Sequence, residues 1–495
     1  MLSVAIFLPL AALVAVLFLP EERRDLVRNV ALGASLGSLG IVVALWIGFT
    51  PGGGYQFVDR VAWIPSLGVG YAVGVDGLSL PLVALTALLF PAALLASRDE
   101  QERVKEYHVW FLLLETACLG VFAAMDLFLF YVFWDLTLVG MYFIIAVWGH
   151  EKAKEAAMTF FLYTFVGSLA LLLGILGLYL AAVPHTMDME TLATLRPLAQ
   201  GGVVSVLVFW ALFVGFAIKT PVVPVHTWLP PAHAEAPAPG SAILAGVLLK
   251  MGTYGLLRIL FAMLPETFER FALPVVVIGL VSVVYGALVA LAQTDLKRLV
   301  AYTSVNHMGY VVLAVGAVAL AGGSETARLL AIDGAVLQMV SHGLITGALF
   351  LLTGVIWRRA HTFDIDSFGG LAKSAPVLAA AFGLAAFASL GLPGLSGFVA
   401  EFQIFAGVFG VRPWAAAVAL TGVVVTAGLF LWTLQRMFLG TTPPQWRTFP
   451  DLTARERLAV FPLLALVVVI GLFPFWVLAV IRGGSAALLA AVGGP

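Results

Sequence analysis

The chain has 495 residues, 62% of them hydrophobic and only 11% charged, with a formal net charge of −1. No water-soluble domain of this size covers so much apolar surface with so few charges, so an integral membrane protein is expected. The near-zero net charge gives no electrostatic ground for a nucleic-acid partner. The single cysteine, Cys118, excludes an internal disulfide and any cysteine-ligated metal or iron–sulfur site.

Apolar runs of about 20 residues recur along the whole length. The first, MLSVAIFLPLAALVAVLFLP, carries its charges (EERR) after the apolar stretch. That is the reverse of a cleaved signal peptide, so it reads as a retained span. Fourteen spans are predicted, at 2–19, 28–49, 76–97, 107–124, 127–148, 158–182, 203–230, 236–262, 272–293, 297–321, 328–357, 376–410, 415–438 and 456–481. Short polar connectors separate them. The division is a three-helix N-terminal segment (1–106), two five-helix units (107–262 and 272–438), and a C-terminal helix with a tail (439–495). Of the 26 Lys and Arg residues, 17 fall in one set of alternate connectors, six on the other side and three within spans. The richer side is expected to be cytoplasmic, which places both termini outside.

Two spans are too long for simple helices. Residues 203–230 would run about 42 Å as one helix and 376–410 about 52 Å, against an apolar core of roughly 30 Å. The first contains KTPVVPVHTWLPP, whose prolines remove backbone donors, and the second contains SLGLPGLSGF. Both are predicted to be broken helices, which persist at membrane depth only where protein buries them or water reaches them. They are spans seven and twelve. Spans 4–8 and 9–13 then form two five-helix repeats, each broken in its fourth helix. An odd number of helices per unit inverts the second relative to the first, a transporter architecture with its working site near mid-membrane. The expected fold class is an all-α polytopic membrane protein with about 14 transmembrane helices in this arrangement.

Asp135 lies in FYVFWDLTLVGMYF, about 12 Å into its span. A charge there costs at least about 2.5–3.5 kcal/mol. Lys219 precedes the first break, Lys250 lies in GSAILAGVLLKMGTYG, and His307 in SVNHMGY. His342 lies in LQMVSHGLITGALF, and Glu401 follows the second break in GFVAEF. One buried carboxylate is explained by a hydrogen bond to a neighbouring helix. Six ionisable residues on six different helices call for another reason, and such a string across a bundle is what a proton relay requires. Burial disfavours a lysine's charged form and an adjacent carboxylate restores it. Pairing of Asp135 with Lys219, made and broken, would therefore switch that lysine between holding and releasing a proton.

Other polar residues read more plainly. His226, His233 and Glu235 flank a span end and suit capping or interfacial roles, with no acid or cysteine at metal-ligand spacing. Asp76, Asp126, Asp295 and Arg258 lie nearer helix ends, and Glu115 lies deeper. There is no GxGxxG fingerprint, P-loop or nucleophile elbow, so the driving chemistry is expected outside this chain.

The stretches KTPVVPVHTWLPPAHAEAPAPGSAILAGVLLKMGTYG, DLKRLVAYTSVNHMGY, LQMVSHGLITGALFLLTGVIW and SLGLPGLSGFVAEF resemble the antiporter-like membrane subunits of respiratory complex I, the proton-pumping NADH:quinone oxidoreductase. The similarity runs from about Asp76 to the last span, and HTFDIDSFGGLAK is most similar to the M-type branch. The resemblance implies one proton path per subunit, leading from cytoplasm to outside. By motif, it assigns Asp135 as the helix-five carboxylate, Lys219 as the helix-seven lysine and Lys250 as the central lysine. His307 and His342 become the linking histidines and Glu401 the exit-side glutamate. It also implies a subunit of a redox-driven translocase of the inner (plasma) membrane, with no cofactor of its own. NADH, FMN, iron–sulfur clusters and quinone would reside in partner subunits. L-type and N-type antiporter-like subunits, with the lateral helix of L, would be its neighbours. The departure is FWD, where the resembled family has FWE, which shortens the reach of Asp135 by roughly 1.5 Å. The alternatives are a subunit of a multi-subunit cation/proton antiporter, which shares this fold, and a subunit of a hydrogenase-type membrane complex, with which the FWD departure is compatible.

Overall fold

The computed structural model describes residues 1–52 and 54–493. The chain opens with α1 (Leu2–Leu17) and α2 (Arg24–Gly48), then a hairpin of β1 (Gln56–Ile64) and β2 (Val69–Val75). There follow α3 (Leu80–Ala96), α4 (Val104–Ala123), α5 (Leu127–Trp148), α6 (Ala153–Ala181), α7 (Met189–Leu195), α8 (Val203–Lys219) and α9 (Leu229–Glu235). Next come α10 (Ala238–Phe261), α11 (Pro265–Leu291), α12 (Leu296–Ala319) and α13 (Glu325–Ala360). The chain continues through α14 (Pro376–Ser389), α15 (Ser396–Val411), α16 (Pro413–Phe438), α17 (Ala454–Leu472) and α18 (Phe475–Gly493). Among the described residues, ten helices are long and apolar enough to cross a membrane: α2, α4, α5, α6, α10, α11, α12, α13, α16 and α18.

Burial sorts these helices into layers. α10, α12 and α13 are enclosed on nearly every side, while α2, α6 and α16 turn apolar side chains outward. The polar residues go inward: α13 alone buries Asp333, Gln338, Ser341, His342 and Thr346. Lipid provides no hydrophobic drive between helices, so close backbone approach through small residues carries the packing. α11 and α12 show this. A Cβ on Gly279 would stand 2.6 Å from the Leu313 amide nitrogen, and one on Gly286 would stand 2.6 Å from that of Asn306.

Side chains cap the starts of several helices. Asp126 accepts from Phe128 N and Leu129 N at the start of α5, and Asp295 accepts from Arg298 N at the start of α12. One end of the bundle carries the hairpin, tied down by Met125 N donating to Ala72 O. At the opposite end Arg358 and Arg359 of α13 both grip Glu456 of α17 at 2.8 Å.

Two segments differ from expectation. The stretch before α3, read as a short polar connector, folds as an antiparallel hairpin with Arg60 paired to Ala72 and Val61 to Tyr71. Its signal was the alternating VGYAVGV, which is short and rich in glycine. The C-terminal span expected at 456–481 is two helices, and residues 482–493 of the expected tail belong to α18. Pro474 has no N–H, and the Phe473 N–H bonds back to Val469 O, so the helix closes and restarts at Phe475.

Candidate functional site

Two interrupted helices frame the interior. α8 stops at Lys219 and helix resumes only at Leu229. Pro221 and Pro224 contribute no N–H, and Val222 N donates to Ala217 O, which leaves Ile218 O without its helical partner. The Trp228 indole fills that role, its Nε1 donating to Ile218 O at 2.9 Å, and Val223 N donates to Ser282 Oγ of α11. These new partners for Ile218 O and Val223 N, with protein around them, are what let the interruption persist at membrane depth. Lys219 consequently sits in the last turn of α8, where the carbonyl end of a helix favours a cation.

The second interruption separates α14 from α15. Gly391 and Gly394 adopt φ of +78° and +91°, conformations that L side chains rarely take. A Cβ on Gly391 would also stand 2.5 Å from Glu401 Oε2, so glycine gives the carboxylate its space.

Four of the six ionisable residues form one continuous file. Lys250 on α10 is fully buried, donates to Ala245 O, and lies 2.7 Å from His342 Nδ1. The His342 ring is 5.5 Å, centre to centre, from that of His307 on α12. His307 Nδ1 in turn lies 3.4 Å from Glu401 Oε1 on α15. Residues 244–248, just before Lys250, are wound as a π-helix, a local widening frequent at working sites.

The other two residues stand apart from that file. Asp135, half-buried, accepts from Ser168 Oγ of α6. Lys219 donates to Thr137 Oγ1 at 3.0 Å and lies over the Trp134 ring at 5.1 Å. Among the described residues no ion pair joins Asp135 to Lys219, and no hydrogen bond joins Lys219 to Lys250. Thr137 is two residues along α5 from Asp135, so the two side chains leave that helix on different faces. Asp135 is turned to α6 and Thr137 to α8.

Several participants were not singled out by sequence reasoning. Gln338 Nε2 lies 3.2 Å from His307 Nδ1, the same atom that faces Glu401. Ser389, the last residue of α14, lies 3.1 Å from His307 Nε2. Gln338 precedes His342 by one helical turn, a spacing that could have flagged it. Serines 168 and 389 carry no such signal, since a small hydroxyl in an apolar helix ordinarily bonds its own backbone. His233 proves fully buried, its ring stacked on Phe350 at 4.5 Å, rather than interfacial. Arg258 pairs with Asp76, and Glu115 accepts from Ser35 of α2. In the connector after α5, burial and then the nearby Lys297 push the His150 imidazole down to about 4, which favours its uncharged form at neutral pH. Among the described residues no cluster of three His, Cys, Asp or Glu could hold a metal ion.

Because His307 Nδ1 faces both an amide and a carboxylate, Gln338→Leu should alter how the ring is shared. A neutral hydrogen bond of about 1 kcal/mol corresponds to roughly fivefold in an equilibrium. Proton translocation should slow by about that factor with electron transfer intact. A rate unchanged within about twofold would assign Gln338 to packing alone.

A helical membrane protein with two interrupted helices and an interior file of lysine, histidine and carboxylate is antiporter-like in class. The chain belongs to the NADH:quinone oxidoreductase/Mrp antiporter transmembrane family, whose model matches residues 124–426. It is 42% identical to NADH-quinone oxidoreductase subunit M of Rhodobacter capsulatus, over 96% of this chain and 93% of that one. It is 38% identical to F(420)H(2) dehydrogenase subunit M of Methanosarcina mazei, over 99% and 98% of the two chains. Its structure is similar to a chain of respiratory complex I from Thermus thermophilus, with TM-score 0.88 and 31% identity, over 99% of this chain and all of that one. A chain of the Mrp complex of Dietzia is similar in fold, with TM-score 0.85 and 22% identity, over 98% and 97%.

Proposed function

We propose that this chain is the M-type proton-translocating subunit of a respiratory NADH:quinone oxidoreductase. It would move protons from the cytoplasm to the outside, driven by redox chemistry in other subunits. The observation that carries this reading is the buried contact file Lys250–His342–His307–Glu401, which spans four helices. Asp135 and Lys219 form the input. In one state Asp135 rests on Ser168 and Lys219 on Thr137. In the other, Asp135 swings to Lys219 and holds it protonated; return to Ser168 releases the proton toward Lys250. His342 receives at Nδ1, passes charge to His307, and Glu401 delivers it onward.

The finer architecture follows the same reading: fourteen spans, two inverted five-helix repeats over 107–262 and 272–438, and both termini outside. Breaks at corresponding places, 220–228 and 390–395, support the repeat. The half-buried Asp135 and the exposed apolar face of α6 suit cover by a neighbouring membrane subunit, L-type or N-type. NADH, FMN, iron–sulfur clusters and quinone would be held by the partners. The Mrp likeness supports the alternative of an ion-gradient-driven antiporter subunit. The two separate in one experiment. Vesicles bearing the parent complex are expected to acidify on NADH addition, and acidification is expected to fall when this chain is deleted. Ion exchange without NADH, and no such fall, would favour the antiporter.

A further inference from the structure

The hairpin half of the bundle carries a groove of about 370 Å³ that the ion-handling residues do not use. Its walls are wholly apolar side chains of α2, α3, α13, α17 and α18, among them Leu39, Ala84, Leu85 and Val340. From Leu39 to Ile47 it follows α2 for about 12 Å, most of one leaflet's half of a roughly 30 Å core. At its hairpin end stand Trp46 and Trp476, edge to face with ring centres 5.4 Å apart, the residue type that marks the membrane–water boundary.

A cation lies above this closure. Asp333 precedes the groove residue Val340 by seven residues, so it shares that face of α13 about 10 Å nearer the hairpin end. Arg482 of α18 donates from Nε to Asp333 Oδ2 at 3.2 Å. Asp333 is fully buried, whereas the Arg482 side chain is 63% exposed, and among the described residues its terminal nitrogens have no hydrogen-bond partner. The arginine is thus fixed by one nitrogen and presents the others outward.

We propose that this groove holds one acyl chain of a bilayer phospholipid, from the leaflet on the hairpin side, with its phosphate on Arg482. An apolar slot one leaflet deep, a tryptophan boundary and an anchored arginine above it match that molecule from chain to headgroup. A neutral isoprenoid would leave the arginine without a counterpart. The site also touches the relay's framework. Leu85 lines the groove and packs on Gly343, where a Cβ would stand 2.5 Å from its Cδ2, so the bound chain braces the helix beside His342.

The test is native mass spectrometry of the full chain, purified in mild detergent after exchange in phosphatidylglycerol vesicles. One retained phospholipid is expected. Ala84→Trp, which fills the slot, and Arg482→Gln should each weaken retention about tenfold, and Arg482→Lys should preserve most of it. Arg482→Gln leaves Asp333 unpaired and can unfold the chain, so Ala84→Trp with an unchanged melting temperature decides. Retention unaffected by Ala84→Trp, no retained phospholipid in the wild-type chain, or recovery of a quinone in its place would each overturn the proposal.

Discussion

Lys250→Met is expected to remove the whole share of proton translocation that this chain contributes, while electron transfer persists. Methionine keeps the length and apolar stem of lysine but carries no proton. It leaves His342 Nδ1 facing a thioether and Ala245 O without the side-chain donor it has now. Those two losses cost about 1–3 kcal/mol each as buried unsatisfied groups, offset by no longer burying an ammonium. The variant should therefore assemble. Lys250→Arg makes the sharper test. Guanidinium keeps the charge but does not deprotonate in proteins, so it can act as a fixed cation and not as a relay. Both variants should lower the protons moved per electron pair equally, measured as vesicle acidification against NADH oxidised. Translocation by the arginine variant would show that Lys250 works as a static charge, and the file would lose its first station.

The interior was legible in the sequence because charge inside an apolar helix is rare and expensive, which made Asp135, Lys219, Lys250, His307, His342 and Glu401 stand out. The interruptions were legible because proline and glycine act locally: Pro221 and Pro224 lack donors, and Gly391 and Gly394 take positive φ. What sequence did not carry was partnership. Nothing about Ser168 says that it faces Asp135 thirty-three residues away, and nothing about Gln338 says that it shares His307 Nδ1 with Glu401. Such pairings are set by helix azimuth and packing, and a π-wound stretch such as 244–248 shifts azimuth without changing composition. The hairpin and α18 were missed for a different reason. The hairpin lies outside the apolar runs, and α18, apolar enough to cross a membrane, was merged with α17 because 456–481 reads as one run across Pro474.

The position of Asp135 yields the second large effect. Asp135→Asn removes the charge while keeping the shape, and the amide can still bond Ser168. With no carboxylate to hold Lys219 protonated, proton uptake should fail, and translocation should drop at least about tenfold, the equivalent of 1.4 kcal/mol on a switch that a carboxylate controls. Asp135→Glu should retain translocation, because the added methylene restores roughly 1.5 Å of reach toward Lys219. Ser168→Ala separates two explanations of that outcome. A hydrogen bond from a hydroxyl to a charged carboxylate contributes about 1.5–3 kcal/mol, so its loss should tilt Asp135 toward Lys219 by roughly ten- to a hundredfold. A switch needs both positions, so Ser168→Ala should trap the paired state and slow turnover even though every ionisable residue remains. If Asp135→Asn translocates like wild type in an intact complex, the carboxylate serves packing between α5 and α6. The input would then have to begin at another buried acid, with Glu115 beside Ser35 the one to replace next. If Asn fails and Ser168→Ala is silent, the charge matters but the resting place on α6 does not, and the two-position switch is replaced by a static field at Lys219.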